Sequence, residues 1–165
     1  MKAIYAGSFS PPTLGHMDVI RRGAAVFDEL VVAVLGQSGK QYIFSLEQRT
    51  DMLRRSTAGI PNVRVVSSGG LLVDLARREG ADVILRGLRE ASDLPYEMQL
   101  ADANRQIGGY ETLFIASLPQ YSRVSSTIVR DCALHGAPIE SMVPKEIVED
   151  IYAVYAELAH TERKG

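Results

Sequence analysis

The sequence predicts an α/β fold: one domain built on a doubly wound, mostly parallel five-stranded sheet with helices on both faces. Three observations carry that expectation. Apolar runs of strand length alternate with helix-period segments along the chain. The strand runs are continuously apolar, as strands covered on both faces are. No internal repeat, low-complexity tract or linker divides the 165 residues, so residues 1–165 read as a single domain.

The elements follow in order. Residues 2–6 read as a first buried strand. Residues 16–27 read as a helix, with Met17, Ile20, Ala24 and Phe27 at helical spacing. Glu29–Leu35 is a second buried strand. Ser45 and Gln48 fit a capping box, which opens a helix running to about Ala58. Residues 63–66 form a third strand, and residues 71–79 a helix with Gly80 as its C-cap. Residues 83–85 form a fourth strand, 95–107 a helix closed by Gly108 and Gly109, and 112–117 a fifth strand. Residues 126–135 and 145–159 are the last helices. Open parallel sheets bind ligands beyond the carboxyl ends of their strands. Function is therefore expected in residues 7–16, 36–44, 67–72, 86–93 and 118–127.

Composition narrows the classes. A hydrophobic fraction of 46% and a charged fraction of 23% are those of a globular protein, not a disordered one. The net charge of -2 and pI near 5.9 argue against a nucleic-acid-binding surface but leave room for a local basic pocket. The one cysteine, Cys132, excludes an internal disulfide and a cysteine-based zinc cluster; it is expected in the core. No apolar run approaches the roughly 18 residues of a membrane helix, and the N-terminus shows no signal-peptide run. A cytoplasmic location without nucleic-acid or membrane partners is the expectation.

The first loop carries the main chemical signal. Gly7-Ser8-Phe9-Ser10-Pro11-Pro12-Thr13-Leu14-Gly15-His16 leaves the first strand and enters the first helix. Free backbone N–H groups at such a helix start favour phosphate. Gly15 lets a ligand approach the backbone, and His16 in the first turn can offer an imidazole N–H to a phosphate oxygen. A proline-rich turn with a surface histidine is the plainer alternative; the position at the first turn of a parallel sheet favours phosphate. Neither a Walker A pattern nor G-x-G-x-x-G is present.

Gly7-Ser8-Phe9 followed by Thr13-x-Gly15-His16 resembles the signature of the HxGH-type nucleotidyltransferases, with Thr13 in place of the first histidine. Arg86-Gly87-Leu88-Arg89, Tyr96-Glu97-Met98-Gln99-Leu100-Ala101 and Val124-Ser125-Ser126-Thr127 look like the phosphopantetheine adenylyltransferase family within it. Order and spacing match over nearly the whole chain. The resemblance implies a Rossmann-like nucleotidyltransferase fold, coenzyme A synthesis and a homohexamer. The implied reaction moves the adenylyl group of ATP to 4'-phosphopantetheine, giving dephospho-coenzyme A and pyrophosphate.

The resemblance also implies roles. His16 would hold the α-phosphate and stabilise charge in the transition state. Ser8 and Phe9 would touch both substrates. Lys40 would meet the phosphate of the acceptor near the point of attack, and Leu72 and Arg86 would line the acceptor side. Gly87, Leu88, Arg89 and Glu97 would frame ATP. Tyr121, Ser122, Arg123, Val124, Ser125, Ser126 and Thr127 would bind ATP, the hydroxyls of Ser126 and Thr127 lying at a second helix start. Two positions depart from the family pattern. Ser10 stands where many relatives carry Asp, and Arg123 where an apolar residue is common; Arg123 is expected to point to solvent.

General chemistry agrees with such a set. Phosphoryl-type transfer needs in-line placement and compensation of growing negative charge rather than a protein nucleophile. Cations, helix N-termini and Mg²⁺ supply that compensation, and Mg²⁺ is expected to be held mainly by ATP phosphates and water. Plainer readings exist residue by residue: a solvated loop lysine for Lys40, a surface pair for Arg86 and Arg89, a helix-surface acid for Glu97. The arginine pairs at 21–22, 54–55 and 77–78 read as solvated faces or subunit contacts, and Glu149-Asp150 as a surface patch. Competing functions are adenylyl transfer to nicotinamide mononucleotide, whose enzymes share an I-S-S-T-x-I-R-like motif echoed at residues 124–130, and a non-catalytic nucleotide sensor.

Overall fold

The apolar runs pair into a single sheet. In a computed structural model, which describes residues 1–36, 39 and 41–162, five strands lie in the order β3-β2-β1-β4-β5. They are β1 (Lys2–Gly7), β2 (Glu29–Leu35), β3 (Val63–Ser68), β4 (Val83–Leu88) and β5 (Thr112–Ala116). Every pairing is parallel, so the sheet is wholly rather than mostly parallel. The helices are α1 (Leu14–Val26), α2 (Leu46–Thr57), α3 (Leu72–Glu79), α4 (Leu94–Gly108), α5 (Ser126–Leu134) and α6 (Val148–Glu162). No helix among the described residues is long and apolar enough to cross a membrane.

Strand periodicity divides the core in two. Ala3, Tyr5, Leu30, Val32, Val34, Val65, Val83 and Leu85 point to one face and pack with Met17, Val19 and Ile20 of α1 and Leu53 of α2. Ile4, Ala6, Val31, Ala33 and Ile84 point to the other face, against Leu75 and Ala76 of α3. A third cluster joins Met52 of α2, Val129 and Ala133 of α5, and Ile151 and Tyr155 of α6; Cys132 packs against it half-buried. Strands buried on both faces cannot alternate apolar and polar residues, which is why β1 and β2 read as unbroken apolar runs.

Boundaries move where the local signal is weak. The fourth strand runs on through Arg86, Gly87 and Leu88, because these pair with Phe114, Ile115 and Ala116 of β5. A charged residue followed by glycine carries no strand signal; the ladder decides. The last helix is preceded by a short 3-10 turn at Lys145–Ile147. The Ser45–Gln48 capping box is present. Gly80 ends α3 at φ 64, a left-handed conformation that glycine adopts without steric cost.

The sheet is doubly wound about β1: chain order runs from β1 outward through β2 to β3, then returns to β4 on the other side. The connections after β1 and β4 therefore leave in opposite directions, opening a crevice between them. The β1–β4 pairing ends at Tyr5 and Leu85, while both strands continue. The Arg86 side chain takes over there, donating from Nη1 to the Ala6 carbonyl at 2.9 Å.

Candidate active site

A cavity of about 430 Å³ occupies that crevice. Ser8, Phe9, His16, Arg86, Gly87, Arg89, Glu97, Val124, Ser125, Ser126 and Thr127 line it, all of them expected from the sequence. Leu72, Leu88, Tyr121, Ser122 and Arg123 are not among its lining. Leu72 packs half-buried against the α3 side of the core. Arg123 is exposed. Tyr121 lies behind the helix start, with its carbonyl oxygen 3.7 Å from where a Cβ on Gly15 would sit. Lys40 lies outside the described residues.

The start of α1 holds His16 in one tautomer. Thr13 is the N-cap, and its side chain accepts the His16 backbone N–H at 3.3 Å. In return His16 Nδ1 accepts the Thr13 backbone N–H at 3.0 Å. The sequence Thr13-x-x-His16 is thus a capping box with an imidazole in the usual Glu/Gln place. An Nδ1 that accepts leaves the proton on Nε2, free to donate. Burial, then the Arg89 and Arg86 charges, lower the His16 pKa to about 4. The imidazole is neutral at pH 7 and acts as a hydrogen-bond donor rather than a cation. Thr13 therefore does a structural job in this chain.

Arg86 and Glu97 form the cavity wall between β4 and α4. Arg86 Nε and Nη2 each meet a Glu97 carboxylate oxygen at 2.6 Å, a bidentate pair. Burial works against the Arg86 charge, and the Glu97 carboxylate more than compensates, holding the guanidinium above its ordinary pKa. Glu97 is 8% exposed, so it is not the helix-surface acid its sequence context permits. Arg89 is freer: it is exposed and touches Asp93 at 3.3 Å. Asp93 in turn accepts the Arg89 and Glu90 backbone N–H groups. Burial opposes the Asp93 charge, but these bonds keep its carboxyl below the usual range. Gly87 is needed for packing as well as access: a Cβ there would lie 2.8 Å from Val19 Cγ2 on α1.

A second helix start faces the same cavity. Ser125 is the N-cap of α5 and accepts the Ile128 N–H at 3.2 Å. The Ser126 and Thr127 N–H groups precede the first intrahelical donor, the Val129 N–H that bonds the Ser125 carbonyl, and lie at the cavity end of the helix. The Ser126 hydroxyl donates to the Pro11 carbonyl at 2.7 Å, tying the two loops together. Arg130 donates to the Ser10 carbonyl at 2.5 Å. Ser10 is itself 2% exposed, so this position is an interior one.

Several residues in and beside the site have no individual role assigned from the sequence. Tyr5, Ser92, Asp93 and Tyr96 line the cavity. Burial raises the Tyr5 hydroxyl pKa to about 12. Asp18, 5% exposed, accepts the Leu118 N–H at 3.2 Å and pairs with Arg22, which donates to the Ala116 carbonyl at 2.6 Å. This clamp fixes the chain leading to α5 against α1. An acid and an arginine one helical turn apart look like any i,i+4 surface pair; only the approach of residues 116–118 gives them this task.

Comparison with known proteins places the arrangement. The cytidylyltransferase-like family profile matches residues 4–132. A protein of Symbiobacterium thermophilum named phosphopantetheine adenylyltransferase is 50% identical over 145 residues, covering 87% of this chain and 90% of the relative. Relatives of the same name from Synechococcus sp. (strain WH7803) and Deinococcus radiodurans are each 48% identical, covering 92% and 87% of this chain and 92% and 87% of their own. A solved structure from Vibrio parahaemolyticus, named as a nicotinate-nucleotide adenylyltransferase, superposes with a TM-score of 0.68 at 19% identity, covering 94% of this chain and 95% of its own. At that identity it speaks for the fold alone.

Proposed function

We propose that this chain, which belongs to the cytidylyltransferase-like superfamily and within it to the phosphopantetheine adenylyltransferase family, transfers the adenylyl group of ATP to 4'-phosphopantetheine. An oxygen of the acceptor phosphate attacks the α-phosphorus in line. The bond from that phosphorus to the bridging oxygen breaks, and pyrophosphate leaves; the other product is dephospho-coenzyme A. No covalent enzyme intermediate is needed, because the acceptor phosphate is already ionised at neutral pH.

The observation that supports this best is convergence: a neutral His16 donor, the Arg89 cation and two helix starts face one cavity of about 430 Å³. In this reading His16 Nε2–H bonds the α-phosphate oxygen on which charge grows. Arg89 and the α5 N–H groups take the leaving phosphates. The Arg86–Glu97 pair holds the wall rigid, and Lys40 meets the acceptor phosphate. Mg²⁺ would neutralise part of the phosphate charge when ATP binds. The two carboxylates of the cavity, Glu97 and Asp93, already accept protein hydrogen bonds, which suits an ion carried by ATP phosphates and water rather than by side chains. A cytoplasmic homohexamer is part of the same proposal.

The test is pyrophosphate release from ATP and Mg²⁺ with a panel of phosphorylated acceptors. Phosphopantetheine should support release far better than nicotinamide mononucleotide. Equal or reversed rates would overturn the acceptor assignment and leave the nucleotidyltransferase class in place.

A further inference from the structure

We infer that Arg49 is a positioning residue that turns the Ser8–Phe9 peptide so that the Phe9 N–H faces the cavity as a phosphate donor. The inference rests on the reading of that cavity as an ATP site.

Arg49 lies on α2, outside the cavity lining, and is 2% exposed. A cation so deeply buried normally faces a carboxylate. The hydrogen-bond acceptors that Arg49 has among the described residues are main-chain carbonyls. Nη1 donates to Ser8 at 2.6 Å and Leu35 at 3.0 Å, and Nε to Phe44 at 3.1 Å. The Tyr42 ring covers the guanidinium, 4.2 Å from its central carbon to the ring centroid. Filling space on this helix would need only an apolar side chain. What a guanidinium adds is a planar set of donors that can gather several carbonyls at once. Two of those gathered, Leu35 and Phe44, bracket the connection from β2 to α2. The third belongs to the first loop.

The third bond has a consequence inside the cavity. Cis geometry is confined to Ser10–Pro11 among the described residues, so the Ser8–Phe9 peptide is trans. In a trans peptide the C=O and the following N–H point in opposite directions. The Ser8 carbonyl points inward to Arg49, so the Phe9 N–H points outward, on the side where Ser8 and Phe9 line the cavity. It has no acceptor among the described residues. Phe9 also sits at φ 45, a left-handed conformation that is costly for a bulky residue. Its ring is anchored edge-on between Tyr5 and His16, and Arg49 anchors the peptide before it. Together they hold a strained turn whose product is one aimed N–H beside His16.

The experiment titrates ATP and adenosine by calorimetry into wild type, Arg49→Lys, Arg49→Gln and the control Leu53→Ala, which thins the core one helical turn away. Binding stoichiometry counts only folded molecules, so partial unfolding does not mask the affinity of the rest. Loss of one phosphate hydrogen bond is worth about tenfold in affinity or more. Arg49→Gln should therefore weaken ATP at least about tenfold and adenosine less than about twofold. Arg49→Lys should fall between it and wild type, because a point cation reaches fewer carbonyls. Leu53→Ala should lower Tm and leave both affinities alone. Equal losses for ATP and adenosine, unchanged ATP affinity in both Arg49 variants, or failure of both to fold would each overturn the proposal and make Arg49 a general structural residue. No acceptor is present, so a wrong acceptor assignment leaves the result readable. A wild-type protein that does not bind ATP would sink the nucleotide reading itself.

Discussion

His16→Asn separates the capping task of the imidazole from the donor task proposed for it. The Asn amide oxygen falls where Nδ1 lies and can keep accepting the Thr13 N–H, 3.0 Å away in the wild type, while nothing remains at the Nε2 position. His16→Ala loses both. A donor aimed at developing phosphate charge is worth about 10²–10³ in kcat, so both variants should lose that much in pyrophosphate release. A capping bond is worth about 1 kcal/mol, or about 2–4 °C in Tm for a domain this size. His16→Ala should therefore melt about that much lower than His16→Asn, which should stay near wild type. The lowered pKa adds a pH signature. His16 titrates at about 4 in the fold against an ordinary 6.5, so below 6.5 the unfolded chain takes up the proton first. Stability from this group is complete above about pH 6.5 and is lost as pH falls through 4, on the order of 3 kcal/mol in all. That component should vanish in His16→Asn. Folded His16→Asn turning over near the wild-type rate would refute the donor role. An imidazole titration near 6.5 by NMR would refute the argument that burial and the two arginines keep His16 neutral.

Three further outcomes are expected. Glu97→Gln removes the carboxylate from a bidentate pair at 2.6 Å and should cost about 2–3 kcal/mol in chemical denaturation, since the half-buried Arg86 loses its charged partner; Arg86→Met with Glu97→Leu should recover part of it. Arg89→Ala should weaken ATP more than phosphopantetheine in calorimetric titrations, whereas a selective loss of acceptor affinity would mean that the two sides of the pocket are exchanged. Lys40→Ala should lower kcat and raise the acceptor KM with ATP affinity little altered, and Lys40→Arg should restore only part; steady-state constants equal to wild type would make Lys40 a solvated loop lysine.

Much of the site is legible in the chain because its signals are local. The turn from Gly7 to His16, the Arg86–Arg89 run and the serines before α5 each occupy a few consecutive residues next to a strand end. The sheet rule then predicts that such segments meet. Leu72 and residues 121–123 follow the same pattern yet do not line the cavity. Leu72 turns to the α3 core, and Tyr121 backs Gly15 from behind. Adjacency to a strand end says that a segment is near the crevice, not which of its side chains face it.

Local sequence sets the alternation of buried strands and helices, the capping box of α2, and the choice of the turn between β1 and α1 as the main candidate site segment. Periodicity and capping are set by residues within one or two helical turns of each other, so they can be read off the chain. The tertiary structure alone decides that Arg86 is paired to Glu97, that Asp18 clamps Leu118, and that Arg49 gathers carbonyls from Ser8, Leu35 and Phe44. The groups in these contacts lie between 5 and 100 positions apart in the chain. Their energy comes from desolvation and hydrogen bonding at places created only when the sheet closes, and a charged side chain looks the same in sequence whether it ends in water or beneath the site.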